Sequence, residues 1–220
     1  MYFCEVFTGV PKKNHYFCKV FIGILADNHK IMKILRTYLF VFQRLAALVN
    51  SPEETWQKIY EENSRKELLN RFALPLLLLA AVLFFVSKIT VFQKVNLIKT
   101  LLETCFMAVS FLCAFVICKK ICQVTIEKIY KIEPPDIQLD KSITYALSVV
   151  LTIKIFAELL KFSFLNLFWL YSAFVFWNVF NIIFKLQVDG KNREIFLITN
   201  TLSVICVPFI IEYILLKLFT

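Results

Sequence analysis

The chain alternates long apolar runs with short charged connections. An α-helix rises about 1.5 Å per residue, so roughly 20 apolar residues are needed to cross a hydrocarbon core of roughly 30 Å. Five stretches approach that length. Phe72 to Val86 reads FALPLLLLAAVLFFV between Arg71 and Lys88, and Leu101 to Cys118 follows between Lys99 and the Lys119-Lys120 pair. A third run extends from Ser142 to Leu160 with Lys154 and Glu158 inside it, a fourth from Phe162 to Phe184, and a fifth from Ile195 to Phe219 carrying Pro208 and Glu212. Only Lys161 separates the third from the fourth, which predicts a tight helical hairpin.

Ahead of the first run the pattern becomes amphipathic. Wound as a helix, Lys33 to Val49 places Lys33, Arg36, Thr37, Gln43 and Arg44 on one arc of about 120°, with Phe40 as the main exception. A helix of this kind, without acidic residues, suits the membrane interface with its Leu, Val and Phe side chains in the acyl layer; packing as a lid against the other helices is the other reading. In NSPEETWQKIYEE, Ser51 is a cap, Pro52 the first helical residue and Glu54 the capping-box partner. Trp56 shares a face with Ile59 and Tyr60, either as an interfacial anchor or as plain helix packing. A second box, Ser64 to Glu67, starts a helix that runs into the first span, where Pro75 is tolerated if the carbonyl it leaves free finds another partner. The stretch Ile121 to Glu133 prolongs the second span as a charged helix and stops at Pro134-Pro135.

Composition narrows the class. Hydrophobic residues make up 59% of the 220, charged residues 19%, and the mean hydropathy is +0.70. A soluble globule of this size could not cover so much apolar surface, and disorder, collagen and disulfide-framed scaffolds are excluded by the same figures. With five spans and the amino terminus inside, 19 of the 25 Lys and Arg fall on the cytoplasmic side. The net charge of +9 is thereby explained by cations at membrane edges, and nucleic acid is not an expected partner. Residues 1–31 hold both histidines, His15 and His29, and show no clear helical period. They are expected to be a non-native or disordered extension upstream of a natural start at Met32; an amino-terminal peptide from before Met32, found by mass spectrometry of the native protein, would exclude this.

Candidate chemistry is sparse. No histidine lies near the spans, so a membrane Ser-His-Asp triad, an HExxH zinc site and a His-based proton relay have no residues to build them. Three glycines cannot form a phosphate loop, and no GxxxG motif is present. Cys118 and Cys122 are half a zinc site at most and read as small packing residues. No catalytic residue, metal or cofactor is expected. Ionisable residues inside the spans are the better candidates, because charge in hydrocarbon is costly and usually faces protein or water. Lys154 lies about 18 Å along its span, and Glu158 and Glu212 each about 24 Å along theirs. These three form a candidate intramembrane polar site: Lys154 and Glu158 are spaced to pair along one helix, and Glu212 joins them if the third and fifth spans are neighbours. The site suits an ion or a polar headgroup, or else locks two helices together. Asn178, Asn181 and Asn200 are a candidate set of interhelical amides.

The run Ser51-Pro52-Glu53-Glu54-Thr55-Trp56-Gln57-Lys58-Ile59, followed by a basic turn and a first span with Pro75, resembles bacterial members of the Yip family. These are small integral membrane proteins related to eukaryotic Rab-GTPase-interacting factors. The resemblance extends from about Leu45 to the end. It implies a cytoplasmic amino-terminal segment, five spans, a bacterial inner-membrane location and a non-enzymatic role in organising or recruiting membrane partners. The chain has no Asp-Leu-Tyr-Gly-Pro-like element before the first span and no Gly-Tyr pair in the membrane region, so the resemblance carries no GTPase-binding expectation.

The expected architecture is an all-α polytopic membrane helical bundle with five transmembrane helices and an amphipathic cytoplasmic amino-terminal helix region. Residues 1–31 form the extension, 32–71 the interfacial helices and 72–220 the transmembrane domain. The expected partners are the lipid bilayer and other proteins or a second copy of the chain. The rival to a recruiting role is a small transporter or channel subunit using Lys154, Glu158 and Glu212.

Overall fold

The computed structural model describes residues 15–61, 64–91, 97–179, 181 and 190–219, with no strand among them. Helix α1 is continuous over His15–Asn50, so it begins upstream of Met32, where the amphipathic pattern predicts its start. No proline interrupts this stretch and Gly23 is its one glycine, so nothing in the backbone chemistry stops the helix earlier. The portion of the predicted extension before His15 lies outside the described residues. Helix α2 spans Pro52–Glu61 and begins on the predicted proline.

Helix α3 opens with the turn Arg65–Glu67, widens into a π-helical stretch, Leu68–Ala73, and continues as Leu74–Val91. The Ser64 hydroxyl accepts from the Glu67 N–H at 3.2 Å, as the capping box predicts. The widening sits directly before Pro75, which has no N–H to give to the preceding turn. The Leu74 N–H reaches five residues back to the Leu69 carbonyl, so the helix absorbs the proline by changing register.

Helix α4 spans Leu97–Tyr130, joining the second apolar run and its charged continuation in one 34-residue helix. Helix α5 follows over Asp136–Leu160 and ends on Lys161 in the left-handed conformation, φ 54°. A glycine-poor chain thus uses a lysine at a helix C-cap, where its charge also faces the negative end of the helix dipole. The chain turns back at once into a 3₁₀ segment, Ser163–Leu170, and then helix α6, Tyr171–Asn178. Phe164, Leu167 and Leu170 are all exposed, a spacing of three that matches the 3₁₀ repeat. Helix α7 spans Gly190–Phe219 with Pro208 inside it.

Among the described residues, four helices are long and apolar enough to cross a membrane: Arg65–Ile89, Leu97–Tyr130, Asp136–Leu160 and Asn192–Phe219. The fourth apolar run, predicted as a span from Phe162 to Phe184, divides between the 3₁₀ segment and α6 and gives no continuous helix of that length; residues 182–189 lie outside the described residues. Along α3, Phe72, Leu76, Ala80 and Phe84 are buried while Leu74, Leu78, Val82 and Val86 are exposed. Apolar side chains therefore cover both faces, which suits a helix with protein on one side and lipid on the other.

Helix α5 is the axis of the bundle. Every residue from Leu139 to Leu151 is buried, and α5 packs on α3, α4, α6, α7 and the 3₁₀ segment. Close approach is made through small residues other than glycine, among them Ala80, Ser110, Ala114, Cys118, Cys122 and Ala146, each fully buried.

Candidate functional site

Most of α5 is enclosed, so Asp140, Lys141 and Lys154 meet other helices instead of water, while Asp136 and Glu158 near its ends are more exposed. The structure gathers them into two clusters, separated by about 21 Å along the helix axis. At the N-terminal end, Asp140 is completely buried. Arg65 at the start of α3 approaches one carboxylate oxygen at 2.7 Å, and Lys119 of α4 approaches the other at 2.7 Å. Both are ion pairs without well-directed hydrogen-bond geometry. Lys119 also lies 3.2 Å from the exposed Asp136, while Lys141 donates to the Tyr60 carbonyl at the end of α2 at 3.0 Å. This cluster ties α2, α3, α4 and α5 together. Sequence reasoning overlooked it; the one available signal is that Arg65, Lys119 and Asp140 flank three successive apolar runs on the same side.

Towards the C-terminal end, Lys154 forms an ion pair with Glu212 of α7. Both side chains are nearly enclosed, and the ammonium is surrounded by the rings of Phe209, Phe84 and Phe111, with centroids at 4.8, 5.8 and 6.0 Å. Aromatic faces attract a cation through their quadrupoles, so α3, α4 and α7 each contribute to holding this charge. Lys154 therefore reaches across to Glu212 and not along its own helix. Glu158, expected to pair with Lys154, stands 3.9 Å from Lys88 of α3 in a more exposed position. Sequence spacing permitted both arrangements, and the neighbouring α7 supplied the closer carboxylate.

The amides divide differently from the expected interhelical set. Asn178 and Asn200 each donate at 2.8 Å to the carbonyl four residues back in their own helices. Asn181 accepts from Arg193 of α7 at 3.1 Å. The hydroxyls of Ser87, Thr104, Ser110, Ser148, Thr152 and Ser203 likewise bond to carbonyls three or four residues back. Such bonds satisfy the donor within its own helix.

Trp56, offered as an interfacial anchor, is only 1% exposed and packs edge-on against Tyr145 of α5 at 5.5 Å. Phe72 also meets the Tyr145 ring, at 4.7 Å. Ile59 is buried on the same face, so α2 is keyed into the bundle along α5. Cys118 and Cys122 are buried, and no cluster of His, Cys, Asp and Glu able to hold a metal ion occurs among the described residues.

Among the described residues, four membrane-length apolar helices, one of them the central α5 with its buried charges paired to neighbouring helices, define a multi-pass α-helical membrane protein. No protein-family model, curated protein or solved structure matches this chain.

Proposed function

We propose that this chain is a non-catalytic, Yip-like integral membrane protein that organises or recruits partners in a bacterial inner membrane. The observation that carries the reading is the closed Lys154–Glu212 pair. A transport site needs a charged or polar group that water and substrate can reach, whereas here lysine and carboxylate neutralise each other against three phenylalanine rings. The grooves beside α5, of about 100 and 500 Å³, have mainly apolar walls, such as Leu76, Phe111 and Leu151 in one and Val149, Phe156 and Leu165 in the other.

The proposed topology has five crossings, with the 3₁₀ segment and α6 forming part of the fourth, and the amino terminus in the cytoplasm. The cation distribution along the sequence supports that orientation. The cluster around Asp140 then marks the cytoplasmic end of the bundle and the Lys154–Glu212 pair lies in its outer half.

Crosslinking in native membranes followed by purification is expected to capture a discrete set of partners. The same set is expected from a variant carrying Lys154→Leu with Glu212→Leu. Reconstituted into liposomes, the wild-type chain is expected to show no ion flux above empty vesicles. Flux that disappears in the Glu158→Gln or Glu212→Gln variant would replace the recruiting role with transport.

A further inference from the structure

The amphipathic half of α1 meets the start of α3 at the edge of the apolar run. Between them lies a cavity of about 810 Å³ whose walls include Lys33, Arg36, Thr37 and Phe40 from α1, with Asn70 and Arg71 from α3. Lys33, Arg36 and Arg71 are exposed, so a ligand can reach all three, at Arg71 in competition with a weak surface ion pair. No carboxylate lines the cavity; Glu67 lies one turn from Arg71 and pairs with it at 2.9 Å.

The cavity continues into a second groove of about 580 Å³, with Thr37 and Asn70 common to both. Its walls are almost wholly apolar: Ile34 on α1, Leu74, Leu77, Leu78 and Ala81 on α3, and Ala108 on α4. From Asn70 to Ala81 the groove runs about 16 Å along the helix, close to the depth of one leaflet of a core roughly 30 Å thick. Three cations at the polar mouth of a leaflet-deep apolar groove match an ionised phosphate attached to an acyl chain.

We infer that this composite groove is a binding site for one anionic phospholipid of the surrounding bilayer. Lys33, Arg36 and Arg71 bind the phosphate, Asn70 and Thr37 border the glycerol region, and an acyl chain lies along Leu74, Leu78 and Ala81. Basic pockets beside membrane helices attract anionic headgroups in this way, with each cation near the surface adding to the attraction. The inference rests on the membrane reading of the fold and is independent of whether the protein recruits partners.

The test is native mass spectrometry of the purified full chain, equilibrated in nanodiscs holding equal amounts of phosphatidylglycerol and phosphatidylcholine with matched chains. One phosphatidylglycerol is expected to remain bound in preference to phosphatidylcholine. The combined Lys33→Gln, Arg36→Gln and Arg71→Gln variant is expected to lose roughly 100-fold of that preference. A control with Lys58→Gln, Lys120→Gln and Lys128→Gln, exposed cations on other parts of the surface that line neither cavity, should retain it. The variant Ala81→Trp, which fills the groove without changing charge, should weaken retention of the lipid. Equal retention of the two lipids by the wild type, or equal loss in the control, would overturn the site. Displacement of the lipid by millimolar glycerol 3-phosphate would also overturn it, by showing that the cations bind phosphate without using the acyl groove.

Discussion

Replacing Lys154 with leucine is expected to destabilise the folded protein by about 3–5 kcal/mol, because it leaves the Glu212 carboxylate enclosed without its counter-charge. Glu212→Leu should cost a comparable amount by stranding the ammonium, although the rings of Phe84, Phe111 and Phe209 retain part of its stabilisation. The double variant, with leucine at both positions, removes both desolvated charges and should return to within about 1 kcal/mol of the wild type. Glu158→Leu should change stability by less than about 1 kcal/mol, since its contact with Lys88 is long and partly exposed. Unfolding of the purified protein in detergent micelles gives all four values. A Glu158 variant as damaging as the Glu212 variant would mean that Lys154 pairs along its own helix after all.

Asp140→Asn is the second large effect. The substitution keeps size and removes the charge that both Arg65 and Lys119 face in a fully buried position, and a loss of about 3 kcal/mol is expected. Arg65 is half exposed and can turn its guanidinium to water, whereas Lys119 is largely enclosed, so most of the loss should come from the Lys119 side. Asp136→Asn provides the internal comparison: that carboxylate is exposed, and its removal should cost less than about 1 kcal/mol. Equal effects from the two substitutions, measured in the same micelles, would show that Asp140 is not the anchor of the cluster.

Much of the helical layout was legible because it depends on neighbours in sequence. The cap at Ser64, the proline start of α2, the charged extension of α4 and the turn at Lys161 all follow from local chemistry within a few residues. The fourth apolar run was less legible. Its hydropathy promises a membrane-length helix, but hydropathy does not distinguish a continuous α-helix from a 3₁₀ segment followed by a short one. Trp56 shows the same limit at a single residue, since an aromatic beside charged neighbours suits both a headgroup layer and a buried face. Tyr145, 89 positions further along the chain, encloses it within the bundle.

By itself the sequence determined the solvent, the helical class and the approximate positions of the four membrane-length helices, because each depends on apolar residues summed over a local window. It also placed charges inside the apolar runs, where they must be neutralised. Which charges neutralise which was decided only by the tertiary structure. Pairing Lys154 with Glu212 instead of Glu158 requires α5 and α7 to be neighbours, and gathering Arg65 and Lys119 around Asp140 requires α3 and α4 to flank α5. Those adjacencies arise from packing among helices that are far apart in the chain, and a helix-period pattern specifies which face is apolar without specifying which helix will cover it.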